Sequence, residues 1–355
     1  MKLIRTEDAA GSVLCHDITQ IIPGVVKDAV FRKGHVVTEE DIPVLLSVGK
    51  EHLYVWEKEE GMLHENDAAE ILRQVCQGPF LSASEPKEGK IELTAEMDGL
   101  LKIDREKLNA VNGMGQIVLA SRHGDFPVKK GDKIAGMRVV PLVIEEAKME
   151  RVKEICGGEP IFRLLPFQKL KAGIVTTGSE VYRGRIEDQF TPVVREKLEE
   201  YDLEVLGDTL CDDDPAMVTE AVREWIRKGA DMVVCTGGMS VDPDDRTPLA
   251  IRNASDEVIT YGAPVLPGAM FMLAYARGDS EGGKEETRAR EDRKSIPIMG
   301  LPGCVMYAKR TIFDLVLPRI AAGEKLRAED FSVLGEGGLC LNCPVCTFPA
   351  CGFGK

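Results

Sequence analysis

The stretch Asp231-Met-Val-Val-Cys-Thr-Gly-Gly-Met-Ser240 decides the fold. A β-favouring apolar run ends in a double glycine and a hydroxyl residue, and the acidic loop Val241-Asp-Pro-Asp-Asp-Arg-Thr247 follows. The pattern reads as a buried strand delivering a ligand-facing turn. Lacking a Cβ, Gly237 and Gly238 are expected to let backbone N–H groups approach an anion and to take φ > 0.

Upstream, Lys171-Ala-Gly-Ile-Val-Thr-Thr-Gly-Ser-Glu-Val181 repeats the design: an apolar strand, a Thr-Gly turn and an acid. Between the two lies a regular alternation. Thr191 is expected to cap a helix with Pro192 at its first position and Val194 and Leu198 facing inward. A strand at 203–206 follows, then a helix opened by Asp214-Pro215, carrying Val218, Ala221, Val222, Trp225 and Ile226 on one face and ended by Gly229. A β-α-β-α-β series predicts a parallel sheet with right-handed crossovers and helices on both faces. In such sheets ligands bind beyond the carboxyl ends of strands, where neighbouring loops diverge.

Further on, Tyr261-Gly-Ala-Pro-Val-Leu-Pro-Gly268 is a turn-rich loop feeding an apolar strand at 269–276. Residues 278–294 are almost all charged or small and read as a disordered, solvated loop. Ile296-Pro-Ile-Met-Gly-Leu-Pro-Gly303 is a third strand ending in glycine, and a helix is expected over 305–321, its N-terminus a natural anion site.

The amino-terminal half is less regular. Residues 1–77 read as a small α+β unit, with a helix opened by Thr38-Glu-Glu-Asp41 and another over 65–77. Residues 78–168 read as β-rich, with strands at 91–95, 99–103, 116–120 and 138–144 and helices at 105–111 and 145–156. Residues 169–323 form the α/β domain, a three-layer, doubly wound, mainly parallel sheet, and 324–355 a Cys-rich tail.

With 355 residues and 44% apolar content the chain can bury several cores. A net charge of −14 leaves no basic field for nucleic acid or an anionic membrane surface, so an anionic small molecule must be held locally by backbone amides or helix ends. No run is as long as a membrane span, and the amino end lacks the apolar core of a signal peptide, so a cytoplasmic location is expected.

The loops Thr177-Gly178-Ser179-Glu180, Thr236-Gly237-Gly238-Met239-Ser240 with Asp245 beyond it, Pro267-Gly268, and Gly300-Leu301-Pro302-Gly303 occur in the order and spacing of a known domain. They resemble the molybdopterin-binding domain shared by molybdopterin molybdenumtransferases, molybdopterin adenylyltransferases and the two ends of gephyrin. The similarity covers about residues 169–323. It implies a phosphorylated, dithiolene-bearing pterin as ligand, with acids holding Mg²⁺ during transfer, and a homo-oligomer. By motif matching, Glu180 and Asp245 are the implied functional acids. Thr177, Gly178, Ser179, Thr236, Gly237, Gly238, Ser240, Pro267, Gly268, Gly300, Pro302 and Gly303 are the implied cradle, and Asp188 stands in the family's Asp-x-Asn element as Asp188-Gln-Phe190. The Asp-Gly-Tyr-Ala stretch of the molybdate-inserting enzymes is missing, Cys304-Val305 replaces Asn-Pro after the third turn, and no Walker-type ATP loop is present. Three roles follow: Mg²⁺-dependent molybdate insertion into molybdopterin or its adenylated form, adenylyl transfer, or cofactor carriage to a molybdoenzyme or another biosynthetic protein.

Ten cysteines complete the inventory. Cys15, Cys76, Cys156, Cys211, Cys235 and Cys304 are scattered and read as small buried hydrophobes in a reducing compartment. Cys340, Cys343, Cys346 and Cys351 crowd a terminal segment, after the linker-like Gly335-Glu-Gly-Gly338, that is too short for a core of its own. Metal ligation is the expectation, with redox-active or merely free thiols as the alternative. Four thiolates suit zinc, and the repeated two-residue spacing suits an iron–sulfur cluster.

Overall fold

The computed structural model describes residues 2–22, 26–55, 60–240, 242, 245–278 and 295–355. The chain divides into two compact units, one comprising Met1–Glu96, Ile103–Arg122 and Lys130–Arg163, the other Met97–Lys102, His123–Lys129 and Leu164–Lys355. Among the described residues no helix is long and apolar enough to cross a membrane.

The first unit contains a four-stranded antiparallel sheet in the order Leu81–Ala83, Lys90–Ala95, Lys133–Val139, Ile117–Ser121. The strand expected at 138–144 instead begins at Lys133 and stops before Pro141, whose missing N–H cannot serve a ladder. Helices Glu65–Cys76, Arg105–Asn112 and Glu146–Cys156 stand where periodicity placed them. The helix expected from Thr38 starts at Asp41, whose carboxylate reaches back to accept from the Thr38 N–H at 2.8 Å. A small separate core gathers Leu14, Ile18, Val37, Leu45 and Leu53.

The second unit holds a six-stranded sheet with strands β1 (Lys171–Thr177), β2 (Glu204–Cys211), β3 (Met232–Thr236), β4 (Glu257–Tyr261), β5 (Met272–Arg277) and β6 (Ser295–Leu301). Its order is β2-β1-β3-β6-β5-β4. The pairs β1·β2, β1·β3 and β3·β6 are parallel, and β5 and β4 add an antiparallel edge. Helices α1 (Phe190–Glu199), α2 (Pro215–Arg227), α3 (Thr247–Ala254) and α4 (Ile312–Ala321) cover it. Every residue of β3 is buried, as a strand covered on both faces requires. Alternate residues serve two cores. Met232 and Val234 pack with Val194 and Leu198 of α1 and with α4, whereas Val233 and Cys235 pack with α2 and Ile251 of α3.

Gly173 of β1 and Gly207 of β2 are register partners, and both lie under Trp225 of α2. A Cβ on Gly173 would stand 2.4 Å from the indole Cγ. The two absent side chains form the slot that the indole occupies.

Several local expectations are corrected. Thr191 is not the cap of α1 but lies buried within it; Asp188, just outside the helix, accepts from the Phe190 N–H at 2.8 Å and the Thr191 N–H at 3.1 Å. A carboxylate two residues upstream outcompetes a hydroxyl for these orphan donors. The long helix expected from 305 is a single 3-10 turn at Gly303–Met306 followed by α4 from Ile312. Its N-terminus is closed by a capping box of Thr311 and Asp314 and so offers no free anion site. The strand at 203–206 extends to Cys211, and that at 269–276 begins at Met272. The loop read as disordered at 278–294 lies, beyond residue 278, outside the described residues.

Nor is the tail a free appendage after a linker. Leu266 N–H donates to the Gly338 carbonyl and Cys340 N–H returns to the Leu266 carbonyl, both at 2.8 Å. Phe353 is buried in the larger core, with Phe348 packed beside it and against Phe126. The tail has a core because it borrows one. Of the scattered cysteines, Cys15, Cys76, Cys156, Cys211 and Cys235 are buried and Cys304 is half-buried; burial pushes the Cys211 thiol up to about 11.

Two stability outcomes follow. Gly173→Ala forces a methyl into the indole and is expected to destabilise the chain by about 1–3 kcal/mol, read by chemical denaturation. Asp314 pairs with buried Lys197 at 2.6 Å and with Arg310 at 2.8 Å. Asp314→Ala strands that ammonium and is expected to cost about 3–5 kcal/mol, whereas the exposed Arg227→Ala, which loses only a surface pair to Glu220, is expected to change stability by less than about 1 kcal/mol.

Candidate functional site

Parallel pairing of β1, β3 and β6 brings their carboxyl ends to one rim, where Thr176 is level with Thr236 and Thr236 with Leu301. At this rim lies a cleft of about 980 Å³. Its lining comes from the turn after β1 (Thr177, Gly178, Ser179, Glu180), the approach to α1 (Asp188, Gln189, Phe190), the end of β2 (Asp212, Asp213, Asp214) and the loop after β3 (Gly238, Ser240, Asp242, Asp245, Arg246).

The turns after β1 and β3 meet closely. A Cβ on Gly237 would stand 2.1 Å from the Thr177 carbonyl oxygen, and one on Gly238 would stand 2.7 Å from the Thr247 hydroxyl. Both glycines have positive φ, +82° and +54°. Packing of one turn on the other therefore requires the double glycine, with Gly238 also reaching the cleft wall.

Beneath the cleft runs a line of hydroxyls. The Thr236 hydroxyl donates to the Thr176 hydroxyl at 3.1 Å, which meets that of Thr191 at 3.0 Å, and Thr191 in turn donates to Asp188. Thr236 is wholly buried, so it supports the floor and does not face a ligand. Thr177 meets Thr247 at 3.0 Å and ties the two turns together a second time.

Most carboxylates at the rim hold backbone. Asp245 accepts from the Ser240 N–H at 2.9 Å, Asp213 from the Ser179 N–H at 2.9 Å, and Asp214 from the Ala216 N–H at 3.0 Å as the cap of α2. The N–H of Asp213 and then the Arg183 guanidinium hold the Asp212 carboxyl below its usual range. Glu180 is exposed at the cleft wall. Among the described residues, Glu180, Glu187, Asp188, Asp212, Asp213, Asp214, Asp242 and Asp245 line the cleft against a single lining cation, Arg246.

Of the residues expected in the site, Thr177, Gly178, Ser179, Glu180, Asp188, Gly238, Ser240 and Asp245 line the cleft; Thr236 and Gly237 lie beneath it. Gly300, Pro302 and Gly303 do not line it. Gly300 packs on Met239 and Ile251, and the segment after β6 reaches the cleft through Met306. Pro267 and Gly268 belong to the loop that pairs with the tail and abuts Ile312. Asp244 lies outside the described residues. The acids Asp212 and Asp213 were not among the expected site residues; their signal is position, immediately after a parallel strand.

Among the described residues no group of three or more His, Cys, Asp or Glu side chains is placed to hold a metal ion. Mg²⁺ does not need such a cage, since it keeps several waters and binds through one or two carboxylates plus substrate phosphates. Carboxylates of that kind, exposed Glu180 among them, line the cleft.

Residues 3–57 match a domain of unknown function, DUF8806. The CinA-like protein of Mycolicibacterium vanbaalenii is 39% identical over 158 residues, 42% of this chain and 37% of that protein, so the chain spans well under half of that relative's length. The tungsten cofactor synthesizing protein MoaB from Pyrococcus furiosus is 22% identical, covering 39% of this chain and 84% of that one, at a TM-score of 0.31. The molybdopterin biosynthesis enzyme MoaB from Thermus thermophilus is 23% identical, covering 44% and 98%, at a TM-score of 0.33. Residues 173–322, which contain nearly all of the sheet and the cleft at its rim, match the family described as a probable molybdopterin binding domain.

Proposed function

We propose that the cleft binds molybdopterin, with Mg²⁺ between the ligand's phosphate and the surrounding carboxylates, and that the chain acts in molybdenum cofactor biosynthesis by inserting molybdate into molybdopterin or its adenylated form. The observation that supports this reading is the charge of the cleft: among the described residues its carboxylates outnumber one arginine, yet it lies in the stretch that matches a probable molybdopterin binding domain, and molybdopterin carries a phosphate. An anion enters such a site when a divalent cation comes with it. Mg²⁺ held there would neutralise phosphate charge and polarise an oxygen.

Under this proposal the chain's own residues divide the work. Glu180, exposed at the wall, is the carboxylate free to meet the cation. Asp245 fixes the turn that presents Ser240, and Asp213 fixes the turn that presents Ser179, so both hydroxyl residues are held at the opening. Thr177 and Gly238 form the wall where the two turns touch.

A second reading, carriage of the cofactor without turnover, is favoured by the same hydrogen bonds. Asp188, Asp213, Asp214 and Asp245 already accept from backbone N–H groups, and a loop-holding carboxylate is not by that fact a catalytic one.

Calorimetry with molybdopterin and its adenylated form, with and without Mg²⁺, tests the proposal. Affinity is expected to require Mg²⁺ and to vanish with chelator, and Glu180→Gln is expected to weaken binding about tenfold, about 1.4 kcal/mol. Molybdate-dependent product formation identifies the transferase. Binding that needs Mg²⁺ but yields no product identifies the carrier, and failure to bind either pterin removes both.

A further inference from the structure

A second recess, of about 220 Å³, lies in the same unit and is formed by the tail. All four tail thiols line it, together with Lys309 and Arg310. We propose that Cys340, Cys343, Cys346 and Cys351 ligate one iron–sulfur cluster seated in this recess, between the tail and the Lys309-Arg310 turn.

Three alternatives fit the structure less well. Core packing does not account for Cys343 and Cys346, which are exposed. Disulfide bonding is not observed, because all four thiols are free. A single zinc needs its four sulfurs about 2.3 Å from one point, and no three potential ligands among the described residues are gathered in that way. A cluster asks for a different arrangement. In a four-iron cluster each thiolate binds its own iron, so the sulfurs stand around an open space and not around a point. Cys340, Cys343 and Cys346, each separated from the next by two residues, supply three ligands from one short loop, and Cys351 closes the ring from the return of the chain.

The surroundings suit an anionic group. The Lys309 ammonium donates to the carbonyl oxygens of Cys343 and Pro344 at 3.2 and 2.7 Å, which pins the loop and puts positive charge beside it. The Arg310 guanidinium lies 5.0 Å from the centre of the Phe348 ring, within the same lining. The tail is anchored on both sides of the cysteines, by the Leu266 pairing at Cys340 and by buried Phe353, so the recess is held in place while the intervening residues adopt no helix or strand. On transfer of a preformed cluster by ligand exchange, four sulfur–iron bonds to the tail form as four bonds from the irons to the donor's terminal thiolates break; the four thiol protons pass to the departing thiolates, and no electron changes place. The proposal is independent of pterin binding.

Anaerobic purification of the full chain, with reconstitution by iron and sulfide, tests it. Iron and acid-labile sulfide in equal amounts are expected, with broad visible absorption. Cys343→Ser and Cys346→Ser, at exposed positions, are expected to lose most of the iron and the colour while far-ultraviolet circular dichroism stays unchanged; Cys304→Ser, outside the recess, is expected to keep both. Stoichiometric zinc without sulfide overturns the proposal. So do four freely titrating thiols after reconstitution, or colour that persists in both tail variants.

Discussion

The contact between the Thr177 carbonyl and Gly237 governs the geometry of the cleft. Parallel strands bring their carboxyl ends level, but a side chain on either turn would push the loops apart. Only an absent Cβ lets β1 and β3 end in direct contact, with the Thr177 and Thr247 hydroxyls joined across the seam. The line of hydroxyls from Thr236 to Asp188 continues that join below the surface and connects the strand ends to the start of α1. The floor is therefore polar and satisfied, as a buried polar layer must be.

On this floor the carboxylates perform two tasks that a sequence cannot separate. Asp213 and Asp245 shape turns, and Asp188 and Asp214 cap helices. Together they also make the opening strongly negative.

Much of this was legible in the residues, for identifiable reasons. A strand buried on both faces must be continuously apolar, and Met232–Thr236 is; Asp214-Pro215 announces a helix because cap and first-turn proline need fixed chemistry. The failures are equally physical. Apolar residues on both sides of Lys309-Arg310 suggested one helix, whereas the Thr311-x-x-Asp314 box marks its true beginning. Edge strand β4 has one face toward solvent and lacks the apolar continuity that marks its neighbours. Asp212 and Asp213 resembled ordinary surface charge in an acidic chain, and only the level ends of β1 and β2 give them a common cleft. The tail's cysteines were conspicuous, but that Lys309, Arg310 and Phe126 come to meet them is a tertiary fact no spacing encodes.

The paired glycines under Trp225 act as a notch with the indole as its key. A helix lying on a smooth sheet could slide along its own axis by a fraction of a turn at small cost, but a keyed one is indexed to a single position. Because Asp214 begins that same helix, the indexing is carried along its length to the mouth of the cleft. The placement of a charge at the surface is thus set by the fit of an aromatic ring three turns away, outside the lining of the cleft.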